Sequence, residues 1–400
     1  MSVSTLRALP PDGRLLLLTR FTRLFAYGAL SVVLVLYLTA LGIGTRQIGV
    51  LLTLTLMGDT AVSLWLSTRA DRIGRRRMLI VGAALMAAAG GAFALTRNYL
   101  VLVVAATIGV ISPSGNEVGP FLPIEQAALA QVVPSERRTG VFAWYTLTGA
   151  FATALGALSA GVLSQAVHYQ GVIVLYAALG IVLAIAFTRL STAAEVPAAQ
   201  AGAFLGVGRS RTVVLRLAAL FALDSFAGGF VVQSFAAYWF YLRFGVDPAT
   251  LGAIFFGANL LAGISALVAS RLAARFGLIR TMVFTHLPSN VLLILVPLMP
   301  TLPLAVAVLF ARFSISQMDV PTRQAYLMSV VSPEERSGAG GITGVARTIG
   351  AGLAPIFAGL LFSQPSLINV PFFIAGTLKI VYDLLLYRGF STRPEPASSA

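Results

Sequence analysis

The sequence predicts an all-α membrane protein with twelve transmembrane helices, arranged as two related sets of six. Three observations carry that expectation. Apolar residues (AVILMFWYC) make up 58% of the 400-residue chain, 38 Gly add to them, and only 10% of residues are charged, against about 25% in ordinary globular chains. Twelve apolar runs recur along the chain, each close to or above the ~20 residues needed to cross a bilayer core. The second half of the chain also repeats motifs of the first at nearly fixed offsets.

The runs fall at 15–41, 48–66, 78–96, 100–133, 140–165 and 171–188, then at 213–242, 251–270, 281–298, 303–331, 338–363 and 371–387. They are numbered spans 1 to 12; the longer ones imply tilt or protruding ends. The loops alternate in charge. Nineteen basic loop residues lie on one side, among them Arg69, Arg72, Arg75, Arg76 and Arg77, against Arg46, Arg97 and Arg243 on the other. This bias places both termini, and the loops at 67–77, 134–139, 191–211, 271–280 and 332–337, in the cytoplasm. The first apolar run is too long, and lacks the small-residue site, for a cleavable signal.

The net charge of +14 belongs to these loops, since the spans hold six bases (Arg20, Arg23, Arg312, Arg323, Arg347, Lys379) and six acids (Asp59, Glu117, Glu125, Asp224, Asp319, Asp383). The excess charge therefore records topology and attraction to anionic lipid, and no nucleic-acid partner is expected. The chain has no Cys and two His, and neither His belongs to a nucleophile–base or metal-ligand set, so no catalytic residue, metal or cofactor is expected. The single Lys follows no Gly-rich phosphate loop, which leaves an ion gradient as the energy source for uphill transport.

PIEQAALAQVVPSERRTG from Pro123 and PTRQAYLMSVVSPEERSG from Pro321 share nine identities in register at offset 198, and STRADRIGRRR from Ser67 corresponds to SRLAARFGLIR from Ser270 at offset 203. The halves divide as a six-helix bundle over 1–190, a cytoplasmic linker over 191–212 and a second bundle over 213–400. Asp71-Arg72-x-Gly74-Arg75-Arg76, between spans 2 and 3, resembles the loop signature of the major facilitator superfamily, with its degenerate copy between spans 8 and 9. Ser67 and Arg69 depart from that pattern, and Ala274 replaces the acid of the second copy. The resemblance covers the whole chain and implies the major facilitator fold, alternating access, and a conformational role for Asp71, Arg72, Gly74 and Arg75. It also implies that spans 1, 4, 7 and 10 line a central cavity.

Charges inside spans cost ~2.5–3.5 kcal/mol each at a helix centre, so most must face partners or a wet pathway. Arg312, Ser316, Asp319 and Arg323 would form one continuous stripe on span 10. Glu125 is the repeat mate of Arg323, and Arg20 and Arg23 lie near the repeat depth of Asp224. Cross-half gating pairs drawn from Glu125, Arg323, Arg23 and Asp224 are one reading; direct substrate contact and snorkelling of Arg20 and Arg23 are others. Span 4 is broken by Pro113, Gly115, Pro120 and Pro123, which could expose carbonyls around Asn116 and Glu117, or could serve packing alone. Glu117 leads the proton-coupling candidates, with Glu125, Asp319 and Asp224 behind it; Arg347 could instead hold Glu117 ionised. Lys379 and Asp383 read as a local i,i+4 pair on span 12. Tyr238, Trp239, Phe240 and Tyr241 read as an outer interfacial belt, while Phe226 and Phe230, like Arg20, Asn116, Arg312 and Arg347, are substrate-cavity candidates.

The function expected is therefore secondary active transport of a small organic solute by alternating access, coupled to protons or another ion, with export as the direction. The alternatives are an organic-anion carrier using Arg20, Arg312 or Arg347, and a non-transporting membrane scaffold or receptor; an enzyme is not expected. Span 4 lacks an Arg and span 5 reads Gly156-Ala-Leu-Ser-Ala-Gly161, departing from the drug/proton antiporter signatures that the resemblance would bring. The expected partners are the solute, the coupling ion and membrane lipid, for a monomer in a bacterial inner (plasma) membrane.

Overall fold

The computed structural model describes residues 9–117, 119–195, 210–332 and 335–390. Both chain ends, most of the 191–212 linker and part of the 332–337 loop lie outside the described residues. Within them the chain is helical, without a strand. Ten helices are long and apolar enough to cross a membrane. Spans 1 to 3 are α1 (Pro11–Ala40), α2 (Thr45–Ile73) and α3 (Arg75–Leu95). Span 4 comes in two pieces, α4 (Tyr99–Ile108) and α5 (Phe121–Val132). The 54-residue α6 (Ser135–Thr188) leaves helical geometry at Val167 and His168, where His168 takes φ 58°. At 1.5 Å per residue it would otherwise run about 81 Å, so it supplies spans 5 and 6.

The second half repeats this order. Span 7 comprises α7 (Arg211–Gly229) and α8 (Gln233–Phe244), and span 8 is α9 (Pro248–Phe276). Span 9 is α10 (Leu278–Leu295), and span 10 comprises α11 (Leu302–Ser316) and α12 (Asp319–Ser329). Spans 11 and 12 are α13 (Arg336–Phe362) and α14 (Val370–Phe390). Twelve crossings result.

The duplication is written into the backbone. α5 restarts at Phe121 and α12 at Asp319, equivalent positions at offset 198. Each carries its Pro, Pro123 or Pro321, in the first turn, where a missing N–H costs no helical bond. Gly74 and Gly277, equivalent at offset 203, both take positive φ, 115° and 85°. There a side chain would be strained, which explains why glycine ends α2 and α9.

Two compact units form. Among the described residues, one takes the chain to Glu195 together with Gln233–Phe256; the other takes residues 210–232 and those from Gly257. Lipid tails are as apolar as Leu, so helices here associate through close packing and buried polar contacts. In the first unit, Gly28 and Gly156 bring α1 against the first part of α6, each leaving no room for a Cβ beside Thr153 or Phe25. In the second, Gly229 and Gly350 do the same for α7 and α13 against Ala351 and Ala222.

Two sequence expectations change here. The span 10 stripe is not one helix, because Gln317 and Met318 separate α11 from α12 and the Gln317 amide donates to Ser265 Oγ (3.3 Å). The span 7 aromatics are not a belt either. Tyr238, Trp239 and Phe240 are buried, and only Tyr241 of that run is exposed. They sit inside the first unit, where α8 packs on α1; Gln233 Nε2 donates to Ser31 Oγ (2.7 Å) and the Ser234 amide to the Pro113 carbonyl (3.0 Å).

Candidate functional site

The break in span 4 sets up the polar interior of the first unit. Its freed carbonyls are taken up by the protein: Tyr176 donates to Val110, Ser234 to Pro113, Thr153 to Gly115 and Ser112 to Asn116. Asn116 itself is exposed. Glu117, in the break, meets two arginines of α1. Arg20 Nη1 donates to its Oε2 (2.6 Å) and Arg23 Nε to its Oε1 (2.8 Å). Arg23, wholly buried, also grips Glu125 of α5 through Nη1 (2.7 Å) and Nη2 (2.9 Å). Glu125 further accepts from Thr19 Oγ1 (2.9 Å) and from the Tyr145 hydroxyl. Arg20 is committed elsewhere too, with Nε on the Tyr145 carbonyl (2.9 Å) and its guanidinium 4.0 Å from the Tyr145 ring. Charges so placed survive burial because every one is paired and hydrogen-bonded.

The second unit holds a matching network with the charges exchanged. Asp224 of α7 accepts from Arg323 Nη1 of α12 (3.1 Å) and from Lys379 Nζ of α14 (2.6 Å). Arg323 also pairs with Asp319 (3.2 Å). Asp383 turns to α10, where His286 Nδ1 lies 2.9 Å and Asn290 Nδ2 2.9 Å away, and His286 Nε2 lies 3.8 Å from Asp224. The expected local pair of Lys379 with Asp383 is thus replaced by contacts to other helices. His286, which reads as solitary in the sequence, is a member of the network.

Arg312 and Arg347 stand apart. Both lie in the electrostatic reach of Asp224 and Asp319, but neither forms an ion pair within 4.0 Å among the described residues. Each keeps a buried Nε without an acceptor, while the side chain is partly exposed. Phe226 and Phe230 stack edge to face at 5.2 Å and meet the exposed Phe357. Asp59, at the midpoint of α2, is the one in-span acid outside these networks. It is buried, its Oδ1 has no hydrogen-bond partner, and it forms no ion pair among the described residues. Its sequence signal was the absence of any base near it on span 2.

At the end of α2, Asp71 accepts from Arg75 Nε (2.8 Å). The first amides of α3 are capped by Glu195, which accepts from Arg75 N (2.7 Å) and Arg76 N (3.0 Å), while Arg75 Nη1 donates to the Ala194 carbonyl (3.1 Å). A carboxylate at a helix N-terminus completes orphan amides and favours the helix dipole. Arg72 lines the adjoining groove with Arg76, Arg77 and Glu195. The contribution of Glu195, 120 residues downstream, has no local sequence signal. Among the described residues no cluster of His, Asp and Glu could hold a metal ion.

Comparison with known proteins fits this arrangement. A family model described as Major Facilitator Superfamily matches residues 16–242 and 217–400. An uncharacterized membrane protein of Saccharomyces cerevisiae is 30% identical over 417 residues, covering 94% of this chain and 93% of its own length. Among solved structures, the nucleoside transporter NupG matches with a TM-score of 0.73 and 15% identity over 95% of this chain and 100% of that one. A bacterial homologue of the human lysosomal transporter Spinster matches at 0.75 and 15% identity, over 96% and 98%. A D-xylose-proton symporter matches at 0.73 and 14% identity, over 96% and 98%. At such identities these structures establish the fold: two pseudo-symmetric six-helix bundles.

Proposed function

The chain belongs to the major facilitator superfamily and is an integral membrane transporter rather than an enzyme, and from that premise we propose that it moves a small organic solute by alternating access, coupled to protons, with export as the direction. Its moving parts are the halves on either side of the 191–212 linker, with both termini cytoplasmic and a bacterial inner membrane as the location. Proton coupling is supported by the acids held at membrane depth, since intramembrane carboxylates mark proton relays.

One observation favours a solute carrying a carboxylate or phosphate. The spans of the second unit hold four bases (Arg312, Arg323, Arg347, Lys379) against three acids (Asp224, Asp319, Asp383). The excess falls on Arg312 and Arg347, whose Nε donors await acceptors. Arg20, the third arginine read as an anion holder, already has Glu117 and Tyr145. A guanidinium holds a carboxylate or phosphate through two parallel N–H donors.

A thermal-shift screen of the purified protein against organic acids, phosphate esters, sugars and lipophilic cations tests this. Stabilisation is expected from anions, growing with the logarithm of their concentration. A charge-assisted bond worth ~1.5–3 kcal/mol means that Arg312→Ala or Arg347→Ala should weaken binding roughly 10- to 100-fold. Stabilisation by lipophilic cations alone would reject the anionic solute. No response to any solute, with no transport in liposomes, would reject transport of a small molecule.

A further inference from the structure

The unpaired acid is in the other unit. The spans of the first unit hold three acids (Asp59, Glu117, Glu125) against two bases (Arg20, Arg23). Both bases are spent on Glu117 and Glu125, which leaves Asp59. It is the fifteenth of the 29 residues of α2 and lies about 10 Å along the helix from the end of span 2 at Leu66 and about 16 Å from its start at Ile48, farther than a short aspartate reaches. Its side chain is buried.

The surroundings offer no cation. The polar groups facing the carboxyl are the backbone of Gly119 in the span 4 break and Ser63, one turn along α2. Ser63 Oγ has no hydrogen-bond partner either. Charged and titratable neighbours arrive from three other elements: Glu117 of the break, Tyr27 of α1 and Tyr176 of α6. α4, which packs closely on α2, carries no charged residue, and α3 carries only Arg75, Arg76 and Arg77, its first three residues. Glu125 of α5 is held by Arg23.

We propose that Asp59 is a proton-binding site of the transport cycle, a role resting on the proton-coupled reading above. An isolated ionised carboxylate in an apolar interior is far costlier than a neutral acid. With its proton Asp59 is neutral and gains an O–H donor. Losing it requires water or a rearranged break to reach the site. Gly119, at φ 79°, and Gly115, at φ 70°, keep that break in a conformation specific to glycine. Glu117 sits in the same segment, tied to Arg20 and Arg23, so a movement of α1 that shifts the break also changes the surroundings of Asp59. The coupling runs through the break, which holds the tied acid Glu117 and, at Gly119, faces Asp59.

The first test needs no solute. Infrared spectra of purified wild type and Asp59→Asn, titrated through neutral pH, should differ by a protonated-carboxyl carbonyl band. The band should be present in wild type, absent from the variant, and fade as pH rises; Asp59→Glu should restore it if Asp59→Asn folds poorly. No such band at any pH at which the protein stays folded overturns the proposal. So does a band that appears only when sodium is removed, which would mean a bound metal cation. In liposomes, with the solute found by thermal shift, Asp59→Asn should retain exchange and lose accumulation driven by a pH gradient. Accumulation that follows the gradient equally in both proteins would defeat the assignment of Asp59 alone. Accumulation in wild type that ignores the gradient would defeat proton coupling itself, whether or not the band titrates.

Discussion

Removing Glu125 should unfold more of this protein than removing any other single side chain of its first unit. Glu125→Ala strips Arg23 of its bidentate partner at 2.7 and 2.9 Å and Tyr145 of its only described acceptor, all within side chains that water does not reach. Breaking a buried pair by deleting one partner costs ~3–5 kcal/mol, and an orphaned buried hydroxyl adds ~1–3 kcal/mol. Two features moderate the loss. Arg23 keeps Glu117 at 2.7 Å, and Thr19 keeps the Leu16 carbonyl at 3.1 Å. The balance is about 3–5 kcal/mol, a large part of the ~5–15 kcal/mol that folded domains have. Glu125→Gln retains one carbonyl acceptor and should cost roughly half as much. The measurement is unfolding in mixed detergent micelles followed by circular dichroism, with Arg23→Met and the double variant completing a cycle. The double variant should be much less destabilised than the sum of the singles, because it leaves no unpaired charge at the pair. A loss below about 1 kcal/mol for Glu125→Ala, the range of exposed ion pairs, would show that water reaches the Arg23–Glu125 pair and would refute its burial as the source of the loss.

Close helix contact gives a second expectation. Gly156→Ala forces a methyl onto the Phe25 carbonyl and should cost ~1–3 kcal/mol as overpacking, whereas Gly91→Ala, with nothing near its Cβ position, should be neutral or stabilising by up to ~1 kcal/mol on helix propensity; unfolding in the same micelles compares the two. Topology gives a third. Since the chain has no Cys, single cysteines at Ser270 and Ser332 should resist a membrane-impermeant maleimide in intact cells while Thr301→Cys reacts, and the opposite pattern would invert the orientation.

The features legible in the sequence were those that repeat or that act locally. Span count follows from apolar run length, and the span 4 break follows from Pro and Gly chemistry. The repeat predicted equivalent structure in the halves, and the paired positive φ of Gly74 and Gly277 and the matched restarts at Phe121 and Asp319 follow it. Partner choice was not legible. Lys379 and Asp383 satisfy the i,i+4 rule for neighbours on one helix face, but Lys379 pairs 155 residues away and Asp383 97 residues away. Burial at depth rewards the partner that completes a network, and sequence spacing does not report which helix presents it. Tyr238, Trp239 and Phe240 misled for a related reason. Aromatics near a span end suit an interface, and they equally suit the tight seat that α8 finds on α1.

The interior sums to zero charge in the sequence, and that neutrality conceals the division between the units. Spans 1 and 4 are tied by Arg23 and Glu125, spans 7 and 10 by Asp224 and Arg323, so the same helix pair is tied in each half with acid and base exchanged. Deleting one partner of such a tie costs ~3–5 kcal/mol, while one pH unit of gradient supplies only about 1.4 kcal/mol per proton. The in-span charges outside the ties are Asp59 in the first unit and Arg312 and Arg347 in the second. Their charges are opposite, so the proposed proton on Asp59 and the proposed anion at Arg312 and Arg347 would each bring the in-span charges of its own unit to neutrality.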